Sequence, residues 1–212
     1  MDGNNRWSKK KNFNLSEGYT SGANKLIKIA THIFENYEVK YISAFALSKN
    51  NLNKSKRIIS TIKNVLLNFL NKYEDKYNLN FKIKFIGDLN FLNNKTRDKI
   101  KLIENKNISS KNILIIFINY SGQSDITNSI SNLNKFTKIN ELDFSKLLNT
   151  KNLPDPDLLI RTGGFQRLSN FMLFQLAFTE LSFTKKLWPD MNNTDIDRFI
   201  KNYYRIDRKF GR

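Results

Sequence analysis

Cysteine is absent from the 212 residues, which excludes disulfides, thiolate metal sites and a cysteine nucleophile and suits a reducing compartment such as the cytosol. Proline is nearly absent, with only Pro154, Pro156 and Pro189. No Pro-rich or Gly/Ser-rich linker and no internal repeat divides the chain, so one domain spanning 1–212 is the expectation. A domain of this size buries roughly 70% of the surface its unfolded chain exposes. Long apolar runs are missing as well: the longest, Ile113 to Ile118, is strand-sized, far short of the roughly 20 residues of a membrane helix. No basic start leads into an apolar run and a small-residue cleavage site, so nothing marks the chain for export. The single histidine, His32, falls within a helical pattern and reads as a surface or core residue rather than a base.

What is plentiful is positive charge. Lys and Arg number 36 against 19 Asp and Glu, a formal charge of +17. Clustered basic residues release counterions from a phosphate backbone, so the charge alone admits an RNA-binding reading. Abundant Asn, Ile and Phe accompany the Lys, a usage typical of an AT-rich genome in which Lys is the default solvent-facing residue. No interleaved aromatic and basic recognition motif is visible, and no nucleic-acid partner is expected. A basic surface steers diphosphates and anionic lipid headgroups toward it whatever its origin.

Along the chain, helical and strand patterns alternate. Helical spacing from about Ser21 to Asn36 is followed by a β-branched and aromatic run from Val39 to Leu47, then by helical spacing from about Ile58 to Tyr77. Phe81 to Ile86 reads as a strand, Lys95 to Glu104 as a helix and Ile113 to Ile118 as a buried strand. Polar stretches from Lys49 to Lys56 and from Asn149 to Pro156 read as loops. This alternation predicts an α/β fold, a mostly parallel central sheet flanked by helices. Ligands in such folds bind at the carboxyl ends of the strands, so motifs that follow strands carry the most weight.

Two segments combine the residue types that bind diphosphates. Met1-Asp2-Gly3-Asn4-Asn5-Arg6-Trp7 brings together an acid, a glycine that lets backbone N–H groups approach an anion, two amides and an arginine with a planar fork. Asp2 can hold a divalent cation against a diphosphate. Asp155-Pro156-Asp157-Leu158-Leu159-Ile160-Arg161-Thr162-Gly163-Gly164 ends a short apolar run in an anion-binding turn, with Arg167-Leu168-Ser169-Asn170-Phe171 just after it. Ser169 or Asn170 is expected to cap a following helix, adding a helix N-terminus to the two arginines and the hydroxyl. It is not a Walker loop, because no Gly-Lys-Ser/Thr follows.

These motifs, in this order, together with Glu180, Trp188-Pro189-Asp190 and the terminal Phe210-Gly211, resemble the undecaprenyl diphosphate synthase (cis-prenyltransferase) family over essentially the whole chain. The resemblance implies a hydrophobic tunnel, a homodimer, and Mg²⁺-dependent condensation of isopentenyl diphosphate with an allylic diphosphate such as farnesyl diphosphate. The product would be a di-trans,poly-cis-polyprenyl diphosphate, made in the cytoplasm with peripheral membrane contact through the lipid. By the same resemblance, Asp2 and Glu180 bind the metal, and Asp2 and Asn51 are catalytic. Asn51 corresponds to a residue linked to proton removal from isopentenyl C2, although an amide is a poor base and the leaving diphosphate can take the proton instead. Gly3, Asn4, Asn5, Arg6, Trp7, Tyr19, Ser48 and Lys54 line the allylic diphosphate site, and Arg161, Arg167 and Ser169 hold isopentenyl diphosphate. A non-catalytic interaction subunit of this fold is the alternative; its mark would be loss of the metal carboxylates, and both are present.

Several positions depart from the family pattern. Asn5 stands for a Gly, Leu15 for an Arg, Tyr19 for a His, Leu52 for a Trp, Lys54 for an Arg, and Ile58 for a Glu. Ser121-Gly122-Gln123 stands for Gly-Gly-Arg, Phe165 for a Glu, and Lys209 for an Arg. The family also has an apolar strand immediately before the Met-Asp-Gly-Asn turn, whereas Met1 is the first residue here. The expectation is an N-terminally truncated sequence lacking that first strand, with Asp2 on an end free to fray. Finally, the apolar stripe Ile62, Val65, Leu66, Phe69 and Leu70 has helical spacing and is expected in the core, on a helix that lines the tunnel in the family.

Overall fold

The computed structural model describes residues 1–53, 56–76, 79–131, 133 and 138–208. Helix α1 (Asn4–Lys10) follows the first turn, with Gly3 as its N-cap at φ 108°, a left-handed value that side chains resist. Helix α2 (Leu15–Asn36) starts earlier than the apolar spacing from Ser21 predicts. Asn14 and Glu17 exchange side-chain and backbone hydrogen bonds in a capping box, and the first turns then lie against α1 through Gly18 and Gly22. Close backbone approach buries this part, and apolar periodicity does not register it.

The chain continues through β1 (Tyr41–Ser48), a 3-10 turn (Lys49–Asn53), α3 (Lys56–Lys76), β2 (Lys82–Ile86), α4 (Asn94–Glu104), β3 (Ile113–Tyr120), α5 (Gly122–Ile130) and the short α6 (Glu141–Ser145). Strands β4 (Leu158–Arg161) and β5 (Glu180–Phe183), a second 3-10 turn (Trp188–Asp190) and α7 (Asn193–Tyr203) follow. All strand pairs are parallel, as expected, but they form two groups, β1-β3-β2 and β4-β5. Central β3 is buried from Leu114 to Tyr120, because helices or turns cover both of its faces.

Alternate β3 residues serve different layers. Leu114, Ile116 and Ile118 pack with α2, α3 and α7 in the main core, where Phe69 and Leu70 of the α3 stripe are buried as expected; Val65 is buried too, and Ile62 and Leu66 are half-buried against the core. Ile115 and Phe117 face the opposite layer, where Phe171 stacks on Phe45 at 4.6 Å and meets Phe117 edge-on at 5.1 Å. The helix expected after Ser169 does not form. Ser169, Asn170 and Met172 take positive φ values of 52°, 64° and 42°, which interrupt right-handed winding, and the segment folds as turns. Among the described residues, no helix is long and apolar enough to cross a membrane.

His32 ties α2 to α7. Its Nε2 lies 2.7 Å from Asp197 Oδ1, and the Tyr37 hydroxyl donates to the same oxygen at 2.7 Å. The His32 hydrogen bond, and then that from Tyr37, hold the Asp197 carboxyl below the usual carboxylate range. A depressed folded value stabilises the fold fully above the unfolded pKa, and this contribution is lost as pH falls through the depressed value. Asp197→Asn is therefore expected to lower Tm by a few degrees at neutral pH. The gap from the parent should close as pH falls below about 3.9. Thermal melts across pH check this; a gap independent of pH would assign the effect to packing instead of charge.

Candidate active site

The carboxyl ends of both strand groups meet at one edge. The Gly122 N–H, just past β3, donates to the Asn170 carbonyl at 2.8 Å, and the Asn170 side chain bonds Ser121 Oγ, the Gln123 amide and Gln123 Oε1. Lys49 Nζ donates to Ser124 Oγ at 3.0 Å, so the 3-10 turn after β1 joins the same edge. Ser48 closes β1 opposite Tyr120, and half-buried Asn51 lies within that turn. Lys54 falls outside the described residues, as do Lys209, Phe210 and Gly211.

Asp2 is fixed rather than frayed. Its N–H donates to Thr162 Oγ1 at 2.9 Å, the Thr162 hydroxyl donates to the Asp2 carbonyl at 3.0 Å, and the Trp188 N–H reaches the same carbonyl at 3.0 Å. Thr162 is 2% exposed, so these bonds are shielded from water. The carboxylate sits between two guanidiniums: Arg161 Nη2 donates to Oδ2 at 3.1 Å and Arg6 Nη2 to Oδ1 at 3.3 Å. Arg161 also donates through Nη1 to Ser169 Oγ at 2.6 Å and to the Arg167 carbonyl. Its Nε is buried with no hydrogen-bond partner among the described residues.

Gly163 makes this approach possible. At φ 86° it brings the end of β4 so close that a Cβ there would lie 2.5 Å from Arg6 Nη2 and 3.2 Å from Asp2 Cγ. Tyr19 is half-buried on α2, and its pKa is raised by burial first and then by the negative charge of Asp2. Asn4 Oδ1 is buried without a hydrogen-bond partner, packed where a Gly22 side chain would otherwise be. Trp7 anchors α1, donating from Nε1 to Asp190 at 2.6 Å and packing on Phe13. Asn5 is exposed on α1, and Arg167 is exposed at the rim of the cluster.

Glu180 does not join Asp2 in the single chain. It opens β5 opposite Leu158, whereas Arg161 pairs with Phe183 at the other end of the strand, three residues or roughly 10 Å further along. Among the described residues no three His, Asp or Glu side chains converge as a metal cage. Asp2 alone, beside an anion site, still fits Mg²⁺, which commonly binds through one or two carboxylates and substrate phosphates. Sequence reasoning missed Thr162, Asn170 and Trp188 as the residues that hold the site together. Thr162 lies inside the Arg-Thr-Gly-Gly motif, and a hydroxyl between an anion-binding arginine and a turn glycine was the available signal.

A family model described as putative undecaprenyl diphosphate synthase matches residues 1–211. An isoprenyl transferase of Fusobacterium nucleatum is 37% identical, with alignment covering 100% of this chain and 93% of that protein. One from Rickettsia bellii is also 37% identical, over 100% of this chain and 95% of the relative. The crystal structure of lavandulyl diphosphate synthase from Lavandula x intermedia, in complex with dimethylallyl diphosphate, superposes with a TM-score of 0.90 at 30% identity over 100% of this chain and 95% of that one. A probable undecaprenyl diphosphate synthase from Campylobacter jejuni gives 0.81 at 29% identity over 91% and 92%.

Proposed function

The chain belongs to the undecaprenyl diphosphate synthase family of cis-prenyltransferases, and from that premise we propose that it condenses isopentenyl diphosphate with an allylic diphosphate such as farnesyl diphosphate to make a polyprenyl diphosphate. The observation that carries this reading is the Asp2 carboxylate held between Arg6 and Arg161, with Ser169 alongside, at the carboxyl ends of the strands.

In the reaction the allylic C1–O bond breaks and the diphosphate leaves with the electron pair. The isopentenyl double bond then forms the new C–C bond, and a proton is lost from isopentenyl C2. Arg6, in α1, neutralises the departing diphosphate, while Arg161, Arg167 and Ser169 orient the diphosphate of the isopentenyl unit. The released diphosphate takes the C2 proton, and Asn51 orients it. Mg²⁺ held at Asp2 would supply further neutralisation of diphosphate oxygens. Half-buried Leu52, Ile62 and Leu66, which pack against the main core, are the apolar surface on which the growing chain would lie and which would keep water from the allylic cation.

We read residues 1–212 as one catalytic domain acting as a homodimer, with the lipid product bringing it to a membrane surface. Radiolabelled isopentenyl diphosphate supplied with farnesyl or geranyl diphosphate is expected to enter a long-chain cis-polyprenyl product, with incorporation lost in EDTA and restored by Mg²⁺. Failure to incorporate label with either primer would overturn the proposal.

A further inference from the structure

Phe165 is 41% exposed, yet three guanidinium groups surround its ring. The guanidinium carbons of Arg167, Arg6 and Arg161 lie 4.2, 5.0 and 5.8 Å from the ring centroid. These arginines come from three places: α1, the end of β4, and the turn beyond Phe165. Arg6 and Arg161 share Asp2, whereas Arg167 has no carboxylate partner among the described residues and leans on the ring.

The backbone sets the ring's position independently of the arginines. The Gly163 N–H donates to the Lys186 carbonyl and the Gly164 N–H to the Thr184 carbonyl, both at 2.8 Å. The two glycines have φ values of 86° and 87°, so the turn that presents Phe165 is a fixed left-handed corner against the segment after β5.

Three like charges this close repel one another, and three kinds of residue could stand among them. An aliphatic side chain gives no attraction. A carboxylate gathers the guanidiniums but cancels one of their charges. An aromatic face attracts cations through its quadrupole and leaves their charge intact. Among the described residues Asp2 is the only carboxylate bonded to the three arginines, which leaves two of their positive charges uncompensated. A bound diphosphate, whose phosphates are largely ionised at neutral pH, is the anion such a cluster suits.

We propose that Phe165 is a positioning residue where the allylic and isopentenyl diphosphate sites meet: its ring keeps Arg6 of the one and Arg161 and Arg167 of the other convergent before ligand arrives while leaving their charge to the ligand. The proposal rests on reading this cluster as the diphosphate site, and its test therefore uses binding rather than turnover.

Calorimetric titration of inorganic pyrophosphate into the purified full chain is the measurement, with Phe165→Leu, Phe165→Tyr and Phe165→Glu beside the parent. Phe165→Tyr keeps the ring face and is expected to bind within about twofold of the parent, whereas Phe165→Leu binds about 5- to 20-fold more weakly. Phe165→Glu gathers the arginines at the expense of one charge, and it too is expected to bind more weakly than Phe165→Tyr. Melting temperatures report whether each variant is folded. Should the leucine variant melt early, Phe165→Met makes the same comparison with a flexible apolar chain. Leucine or methionine binding as tightly as the parent, or tyrosine binding as weakly as leucine, would overturn the role of the ring. A parent chain that does not bind pyrophosphate at all would overturn the diphosphate site itself and the proposal with it.

Discussion

Asp2→Ala is expected to lower kcat at least about 100-fold, an increase of roughly 2.7 kcal/mol in the barrier, while the KM for the allylic diphosphate changes by less than about threefold. The backbone of Asp2 is held by Thr162 and Trp188, and neither contact uses the side chain, so removing the carboxylate should leave the turn in place. What disappears is one negative charge between Arg6 and Arg161. If that charge served only to hold the arginines, allylic binding would suffer as much as turnover. If it holds a metal against the reacting diphosphate, binding survives and chemistry fails. Asp2→Asn sharpens the distinction, since the amide oxygen can still accept from one arginine but is a poor metal ligand. It should be nearly as inactive as alanine. A loss below tenfold in either variant would move the metal-binding role elsewhere.

The sequence announced the pieces of this site better than their assembly. The α3 stripe and the apolar run of β3 follow directly from spacing and length, because burial of one helical face or of a whole strand leaves a periodic or continuous apolar pattern. Arg161 and Asp2 were visible as chemistry, but the bond between them spans 159 residues, and no local pattern encodes it. Strand β5 leaves no local signal, since its four residues lack a clean alternation; its pairing with β4 comes from tertiary context. Helix α7 carries a legible start signal, since Asn192 and Asp195 form a capping box at its N-terminus. The expected helix after Ser169 failed for a physical reason. Asn170 spends its side chain and its carbonyl on Ser121, Gly122 and Gln123, and those bonds between the two strand groups win over a helix start.

Arg161→Ala is expected to raise the KM for isopentenyl diphosphate about 10- to 100-fold, with the KM for the allylic diphosphate changing far less. Arg161 is the most enclosed of the three arginines for which the geometry of the cluster matters, its side chain only 13% exposed against 46% for Arg6. In that setting a lost charge-assisted bond is poorly replaced by water and commonly costs about 1.5 to 3 kcal/mol. Its two Nη groups already serve Asp2, Ser169 and the Arg167 carbonyl, so the guanidinium plane is fixed before substrate arrives. Arg161→Lys keeps the charge but cannot bond Asp2 and Ser169 with one planar fork, and should recover only part of the loss. Because Asp2 loses a partner too, a smaller fall in kcat should accompany the change in KM. Steady-state kinetics with each substrate varied in turn separates these effects. Equal losses for the two diphosphates would show that Arg161 does not discriminate between them, and the assignment of the isopentenyl site to the end of β4 would fall.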